Sequence, residues 1–273
     1  MKLENEIKGI EFDKSVIILG DLHNTWRRVN YLIAKHKPSI VLQTGDFGWW
    51  PKWHETTHIT HGTYRRDHMT GIKRRAPFNQ YGLRTGDAKI YFCPGNHEDW
   101  EDLNRRADSY NPYPVEVYKN VFYMPRCSTL DLPDGRRILF MGGAHSIDKE
   151  WRRYRYDWFP EETITLSDVR NLPDTNIDIV VSHTSPSWFK QEIFEMSDDW
   201  RQSDSYWLEK FKDPSCLALD AVFEKYRPKM WFFGHYHIFK HGKYQDCRWF
   251  VLDKETHEHF WMFMPTREEL WKQ

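Results

Sequence analysis

Six short runs of apolar residues punctuate the chain, and each gives way at once to polar or glycine-containing residues. They occupy residues 16–19, 40–43, 89–93, 137–141, 177–181 and 229–233 and are mostly rich in β-branched and aromatic side chains. Their hydrophobicity is continuous rather than alternating, which predicts strands buried on both faces. Between several of them lie segments of helical character, notably 25–36, closed by Pro38, and 215–226, closed by Pro228. Strands alternating with helices predict an α/β fold with covered sheet faces. Two later runs, 248–252 and 259–263, predict an antiparallel pair that extends a mixed sheet or belongs to a second one. The stretch from Trp49 to Lys89 is rich in His, Arg, Thr and Gly with little periodicity. It predicts an irregular insertion over about 49–89, of the kind that in compact domains usually serves a site. No internal repeat or low-complexity tract appears, and 273 residues suit one large domain better than two, so a single domain over 1–273 is expected.

Charge and composition remove several classes of partner. Lys and Arg total 39 against 40 for Asp and Glu, so no overall charge draws the protein to nucleic acid or an anionic membrane, and any basic site has to be local. Aromatic residues make up 16% of the chain, with 14 Trp, which excludes a disordered chain. Cys93, Cys127, Cys216 and Cys247 lie far apart with no paired spacing, so neither a disulfide framework nor a cysteine zinc site is indicated, and a reducing cytoplasm is the expected setting. The N-terminus has no apolar signal core and no stretch is long enough to span a bilayer, so no membrane partner is expected.

The chemistry sits at the ends of the runs. Five of the six deliver carboxylate, amide or imidazole groups just after their last apolar residue: Gly20-Asp21-Leu22-His23-Asn24, Gly45-Asp46-Phe47, Gly95-Asn96-His97-Glu98, Ser182-His183-Thr184 and Gly234-His235-Tyr236-His237. Ligands bind at the carboxyl ends of strands in open α/β sheets, so these loops can converge. A lone Gly-Asp is an ordinary turn and a lone loop His is usually just solvated. Independent turns, however, have no reason to place Asp, His, Asn and His at successive strand ends. Two cations about 3.5–4 Å apart repel strongly and need a shared anionic ligand. Asp46 is the natural bridge; Asp21, His23 and His237 complete one site, and Asn96, His183 and His235 the other. Imidazole with carboxylate selects two divalent transition-metal ions, manganese first, with iron, zinc, nickel or cobalt as alternatives.

Taken in order, these motifs resemble the signature of the calcineurin-like metallophosphoesterase superfamily: GD-x-H, GD, GNH-[DE], H and GH-x-H. The resemblance spans most of the chain. It implies two mixed β-sheets packed as a sandwich flanked by helices, and hydrolysis of phosphate esters by a water activated at two metals. It carries the ligand role to Asp21, His23, Asp46, Asn96, His183, His235 and His237. It makes His97 the residue that contacts phosphate and assists the leaving group. Glu98 and Asp99 stand where they either orient an imidazole or simply begin a helix, where acids are favoured. The Ser/Thr protein-phosphatase branch continues its second motif with Asp-Arg-Gly, but here Asp46 is followed by Phe47-Gly48-Trp49-Trp50, and the closing GH-x-H is absent from that branch. Asn24 stands where a Gly often follows the first His, a change that bears on the turn rather than on ligation.

The fourth run leads into Gly142-Gly143-Ala144-His145-Ser146-Ile147-Asp148, similar to GGA-x-S-x-D stretches of small bacterial and phage members of the superfamily, and then into residues 149–158, where arginines alternate with aromatics. Arg152 and Arg153 are the expected substrate contacts, able to grip phosphate while the aromatics stack bases; the alternative is a solvated segment whose aromatics pack on the core. Arg65-Arg66 and Lys73-Arg74-Arg75 are weaker candidates, and His145 is either a catalytic accessory or an ordinary loop residue. The expected activity is a phosphodiesterase acting on nucleotides or nucleic acid. A phosphomonoesterase, a Ser/Thr protein-phosphatase-like enzyme and a non-catalytic metal-binding scaffold remain as alternatives.

Overall fold

The computed structural model describes residues 7, 9–51, 54–55, 64–66, 73–75, 82–107, 112–195 and 213–270. The first part of the chain forms strand β1 (Phe12–Leu19), helix α1 (Arg27–His36), β2 (Ile40–Gln43), the short strands β3 (His54–Glu55), β4 (Tyr64–Arg66) and β5 (Lys73–Arg75), β6 (Lys89–Phe92), α2 (Trp100–Arg106), β7 (Val115–Tyr118) and β8 (Val121–Tyr123). Then come β9 (Thr129–Asp131), β10 (Arg137–Met141), α3 (Leu166–Val169), β11 (Ile179–Ser182), α4 (Ser187–Glu195), α5 (Pro214–Tyr226), β12 (Met230–Phe233), β13 (Lys240–Tyr244), β14 (Cys247–Val251) and β15 (Trp261–Pro265).

Two six-stranded mixed sheets result, in the orders β15-β1-β2-β6-β8-β7 and β13-β14-β12-β11-β10-β9. In each, four parallel strands form the middle and antiparallel strands form both edges. Alternate residues of one strand serve two different cores. Val16 and Ile18 of β1 join Ile138 and Phe140 of β10 between the sheets. Ile17 and Leu19 pack outward with Val29, Leu32 and Ile33 of α1. On the second sheet's outer face, Leu139, Trp231 and Trp249 pack with Phe189 of α4 and Leu219, Val222 and Phe223 of α5. Burial on both sides is the physical reason the strands read as continuous apolar runs, and the four layers are the sandwich the resemblance implies.

Helices α1 and α5 stop in the same way. Lys37 and Arg227 turn left-handed at φ 48° and 47°, and their N–H groups close onto the carbonyls of Ile33 and Phe223 at 2.9 and 2.8 Å. A proline then blocks further helix in each case. The expected antiparallel pairing of 248–252 with 259–263 does not occur. β14 lies parallel to β12 and antiparallel to β13 in the second sheet, whereas β15 lies antiparallel to β1 in the first. The connection between them crosses from sheet to sheet, with Gly20 N–H donating to the Phe260 carbonyl at 2.7 Å. Within the insertion the described backbone is not wholly irregular: β3, β4 and β5 form a small antiparallel sheet. Strands of two or three residues are too short to show a period. The remaining residues of the expected insertion from 52 to 81 lie outside the described residues. Among the described residues no helix is long and apolar enough to cross a membrane.

Candidate metal centre

The five motif-bearing loops leave the carboxyl ends of β1, β2 and β6 in one sheet and of β11 and β12 in the other, and they meet. Among the described residues, Asp21, His23, Asp46 and His237 offer ligand atoms that all lie within 4.8 Å of one another. His237 Nε2 is 3.0 Å from Asp21 Oδ2 and 3.4 Å from His23 Nε2, and His23 Nε2 is 3.8 Å from Asp46 Oδ2. Ligands about 2.0–2.2 Å from a common ion lie roughly 3.0–3.5 Å from each other, so the His237–Asp21 and His237–His23 spacings suit neighbouring ligands of one cation, and the His23–Asp46 spacing is a few tenths of an ångström longer. On the other side of Asp46, its Oδ1 lies 3.3 Å from His183 Nε2, which is 3.1 Å from Asn96 Oδ1, and the His235 ring stands edge-on to His183 with centroids 4.9 Å apart. The two oxygens of Asp46 therefore face two different donor sets, one drawn mostly from each half of the sequence pattern.

Local structure accounts for the approach of these groups. Four of the seven expected ligands, His23, Asp46, His235 and His237, have φ between 47° and 69°. His and Asp are among the few L-residues that tolerate this left-handed region, which still costs on the order of 1–3 kcal/mol each. Asn24, at φ 64°, continues the same turn, and asparagine suits it where glycine is the usual choice. Close approach explains two glycines: a Cβ on Gly95 would lie 2.1 Å from Asp46 Oδ1, and one on Gly234 would lie 2.1 Å from Asp21 Oδ1.

The pocket is built for positive charge. Burial opposes ionisation of Asp46, yet His183, His97 and His23 hold its carboxyl well below the usual range. Burial would likewise lower His183, but Asp46 and then Asp21 push it up to about 10. Burial and the nearby His183 keep His235 well below its ordinary value, leaving a neutral imidazole suited to ligation. His183 Nδ1 is 2.9 Å from the Thr44 carbonyl, an acceptor only, so Nδ1 donates there and Nε2 is the nitrogen that faces Asp46 and Asn96.

His97 is buried beside these groups. Its backbone N–H donates to Asp46 Oδ1 at 2.9 Å, its carbonyl accepts from Trp50 Nε1 at 2.9 Å, and its ring stands edge-on to His23 with centroids 5.6 Å apart. Asp99 begins helix α2: its side chain caps the Asp102 N–H. Glu98 does something neither sequence reading anticipated. One oxygen accepts from Gly48 N–H at 2.8 Å and the other from Gly95 N–H at 2.5 Å, so one carboxylate clamps the second and third motif loops together. Burial and the Asp46 charge raise Glu98 to about 8 against those two donors.

The two expected substrate contacts part company. Arg152 is 8% exposed, and its guanidinium donates to Ser146 Oγ at 2.5 Å, to the Asn96 carbonyl at 2.9 Å and to the Asp157 carbonyl, with Asp148 at 3.4 Å and Glu162 at 3.8 Å. Three acids supplied by the same loop draw this cation inward rather than toward an open surface. Arg153 is exposed and lies over the Tyr156 ring at 4.3 Å, beside Trp151 and Tyr154, which are 48% and 63% exposed. His145 is half-buried on the same loop, with Nδ1 3.5 Å from Thr163 Oγ1. Of Arg65, Arg66, Lys73, Arg74 and Arg75 only the backbone is described. Sequence reading missed Ser146, whose hydroxyl accepts from Asn96 Nδ2 at 3.0 Å, and Glu162, which anchors Ser146 N–H at 3.0 Å. Ser146 was visible in its motif, but nothing in the spacing pointed to its partner.

The chain is similar to known proteins. The profile of the family described as calcineurin-like phosphoesterase matches residues 14–239. A lariat debranching enzyme from Entamoeba histolytica is 22% identical over 259 residues, covering 88% of this chain and 68% of that enzyme.

Proposed function

The chain belongs to the calcineurin-like phosphoesterase family, and is thereby a hydrolase of phosphate esters; from that premise we propose that it is a phosphodiesterase with a dinuclear, manganese-preferring centre that acts on nucleotides or nucleic acid. The observation that carries the dinuclear reading is the division of Asp46, with Oδ2 toward His23 and Oδ1 toward His183. Asp21, His23 and His237 complete one site, and Asn96, His183 and His235 the other. Divalent cations held there would neutralise phosphate charge, polarise the phosphoryl group and lower the pKa of a water. Asp46 holds both sites in register, and Thr44 fixes the His183 tautomer. His97 would give a proton from its ring to the departing oxygen.

Three features support a diester of the nucleic-acid kind. The position after Asp46 holds Phe47, buried and stacked on Phe92 at 4.3 Å, so no arginine fork stands there for a doubly charged monoester. Arg153, Trp151 and Tyr154 offer a cation and exposed rings on the loop that Arg152 ties to Asn96. The similarity to a lariat debranching enzyme points the same way. Four buried cysteines, all free, suit a cytoplasmic setting.

The test compares bis-p-nitrophenyl phosphate with p-nitrophenyl phosphate on chelated protein before and after Mn²⁺ is restored, then repeats a nucleotide diester on Arg153→Ala. Expected are metal-dependent turnover, preference for the diester and a loss of roughly two- to fivefold in kcat/KM on the nucleotide, as suits an exposed contact. A strong monoester preference, or unchanged nucleotide kinetics in the variant, counts against the substrate assignment.

A further inference from the structure

Asn96 is the one expected ligand that is neither acid nor imidazole, and an amide ligates only through its oxygen. Its Oδ1 already lies 3.1 Å from His183 Nε2, on the second donor set. What holds it there comes from a part of the chain that supplies no ligand. Its Nδ2 donates to Ser146 Oγ at 3.0 Å, and its own carbonyl accepts from Arg152 Nη2 at 2.9 Å. Arg152 Nη1 donates to the same Ser146 hydroxyl at 2.5 Å. One guanidinium thus grips Asn96 at both ends, the backbone directly and the amide through a serine. Arg152 is in turn fixed by Asp148 and Asp157, and Ser146 by Glu162. Ser146 is fully enclosed and Arg152 is buried, so the arrangement is part of the interior and not a surface rearrangement.

We propose that Ser146 and Arg152 are positioning residues for the second metal, acting through Asn96. Arg152 can only donate, and it takes up acceptor capacity of the serine oxygen on one side; the Asn96 NH₂ fills another acceptor direction, which turns Oδ1 toward His183. A lysine would keep the charge but lose the planar fork that reaches two acceptors at once. The inference rests on the dinuclear reading of the site and not on the identity of the substrate.

The experiment is calorimetric titration of chelated protein with Mn²⁺ in the absence of substrate, on wild type, Ser146→Ala, Asn96→Ala, the double variant and Arg152→Lys. Thermal melts of the chelated proteins check folding. Wild type takes up two ions. Ser146→Ala and Arg152→Lys weaken the second ion by about 10–100-fold, the usual effect of losing such a supporting contact, and leave the first unchanged. The double variant is no worse than Asn96→Ala, because the serine acts only through that amide. The proposal is overturned if Ser146→Ala binds both ions as wild type does, if both ions weaken equally, or if its loss adds to that of Asn96→Ala. A wild type that binds fewer than two ions refutes the dinuclear reading and this proposal with it, whereas a different substrate preference leaves the proposal standing.

Discussion

The His97 backbone is fixed on both sides, its N–H by the Asp46 carboxylate and its carbonyl by the Trp50 indole, next to the expected ligand Asn96. Its ring can therefore be removed without removing a ligand, which separates proton transfer from metal binding. His97→Ala is expected to retain both ions by elemental analysis and to lose roughly 10²–10⁴-fold in kcat on a diester with an alkoxide leaving group. The loss should be much smaller with p-nitrophenolate, which departs without a proton. Equal losses on the two substrates contradict the acid role. The residues that sequence picked out most clearly are those whose type metal chemistry favours: carboxylates and imidazoles at strand ends, of which Asp21, His23, Asp46 and His237 cluster and His183 joins through Asp46. Glu98 was misjudged because its role depends on where Gly48 lies, 50 positions away, and no local pattern records that distance.

Apolar strands were legible and polar ones were not. The residues of β2 and β10 coincide with runs picked out by hydrophobicity alone, whereas β13 alternates between half-buried and exposed positions and carries two Lys and a His, so nothing marked it as sheet. Missing β13 also misled the pairing of 248–252, whose true neighbours are β12 and β13. The loop 142–162 shows the same limit, since its aromatic-arginine pattern reads as a binding surface while its buried acids decide which arginine turns inward. Glu162 is one of those acids. Burial raises it from the usual 4.5 to about 8, against the opposing pull of Arg152 and of Ser146. A carboxyl raised in the folded state binds a proton more tightly there than in the unfolded chain. Its contribution to stability is therefore complete below about 4.5 and is lost as pH rises through about 8. In chelated protein, urea unfolding between pH 5 and 9 should show stability falling more steeply in wild type than in Glu162→Gln. The difference between the two curves should reach a few kcal/mol, on the order of the linkage for a shift of this size. Parallel curves would show that Glu162 stays ionised throughout.

The two sheets contribute separately to one centre. Asp21, His23, Asp46 and Asn96 follow strands of the first, and His183, His235 and His237 follow strands of the second, while the shared core between them is apolar. Strand order could not be read from the sequence, because it is fixed by which runs become neighbours across the sandwich; that five loops share one end could be, because parallel strands put all their carboxyl ends on one side. Ions bound at this seam add a bridge between the halves of the molecule and bind only when both halves are in place. Any ligand that binds the folded state alone stabilises it by about 2.7 kcal/mol at a hundred times its dissociation constant. In a protein of this size each kcal/mol moves the melting temperature by roughly 2–4 °C, so one saturated site is worth about 5–10 °C. Mn²⁺ added to chelated protein should raise the melting temperature by at least that much in a single transition. Asp21→Asn from one sheet and His235→Ala from the other should each cancel a large part of the rise while folding normally without metal. A melting temperature indifferent to Mn²⁺, or a second transition in which only one variant's half responds, would show that the ions do not join the two sheets.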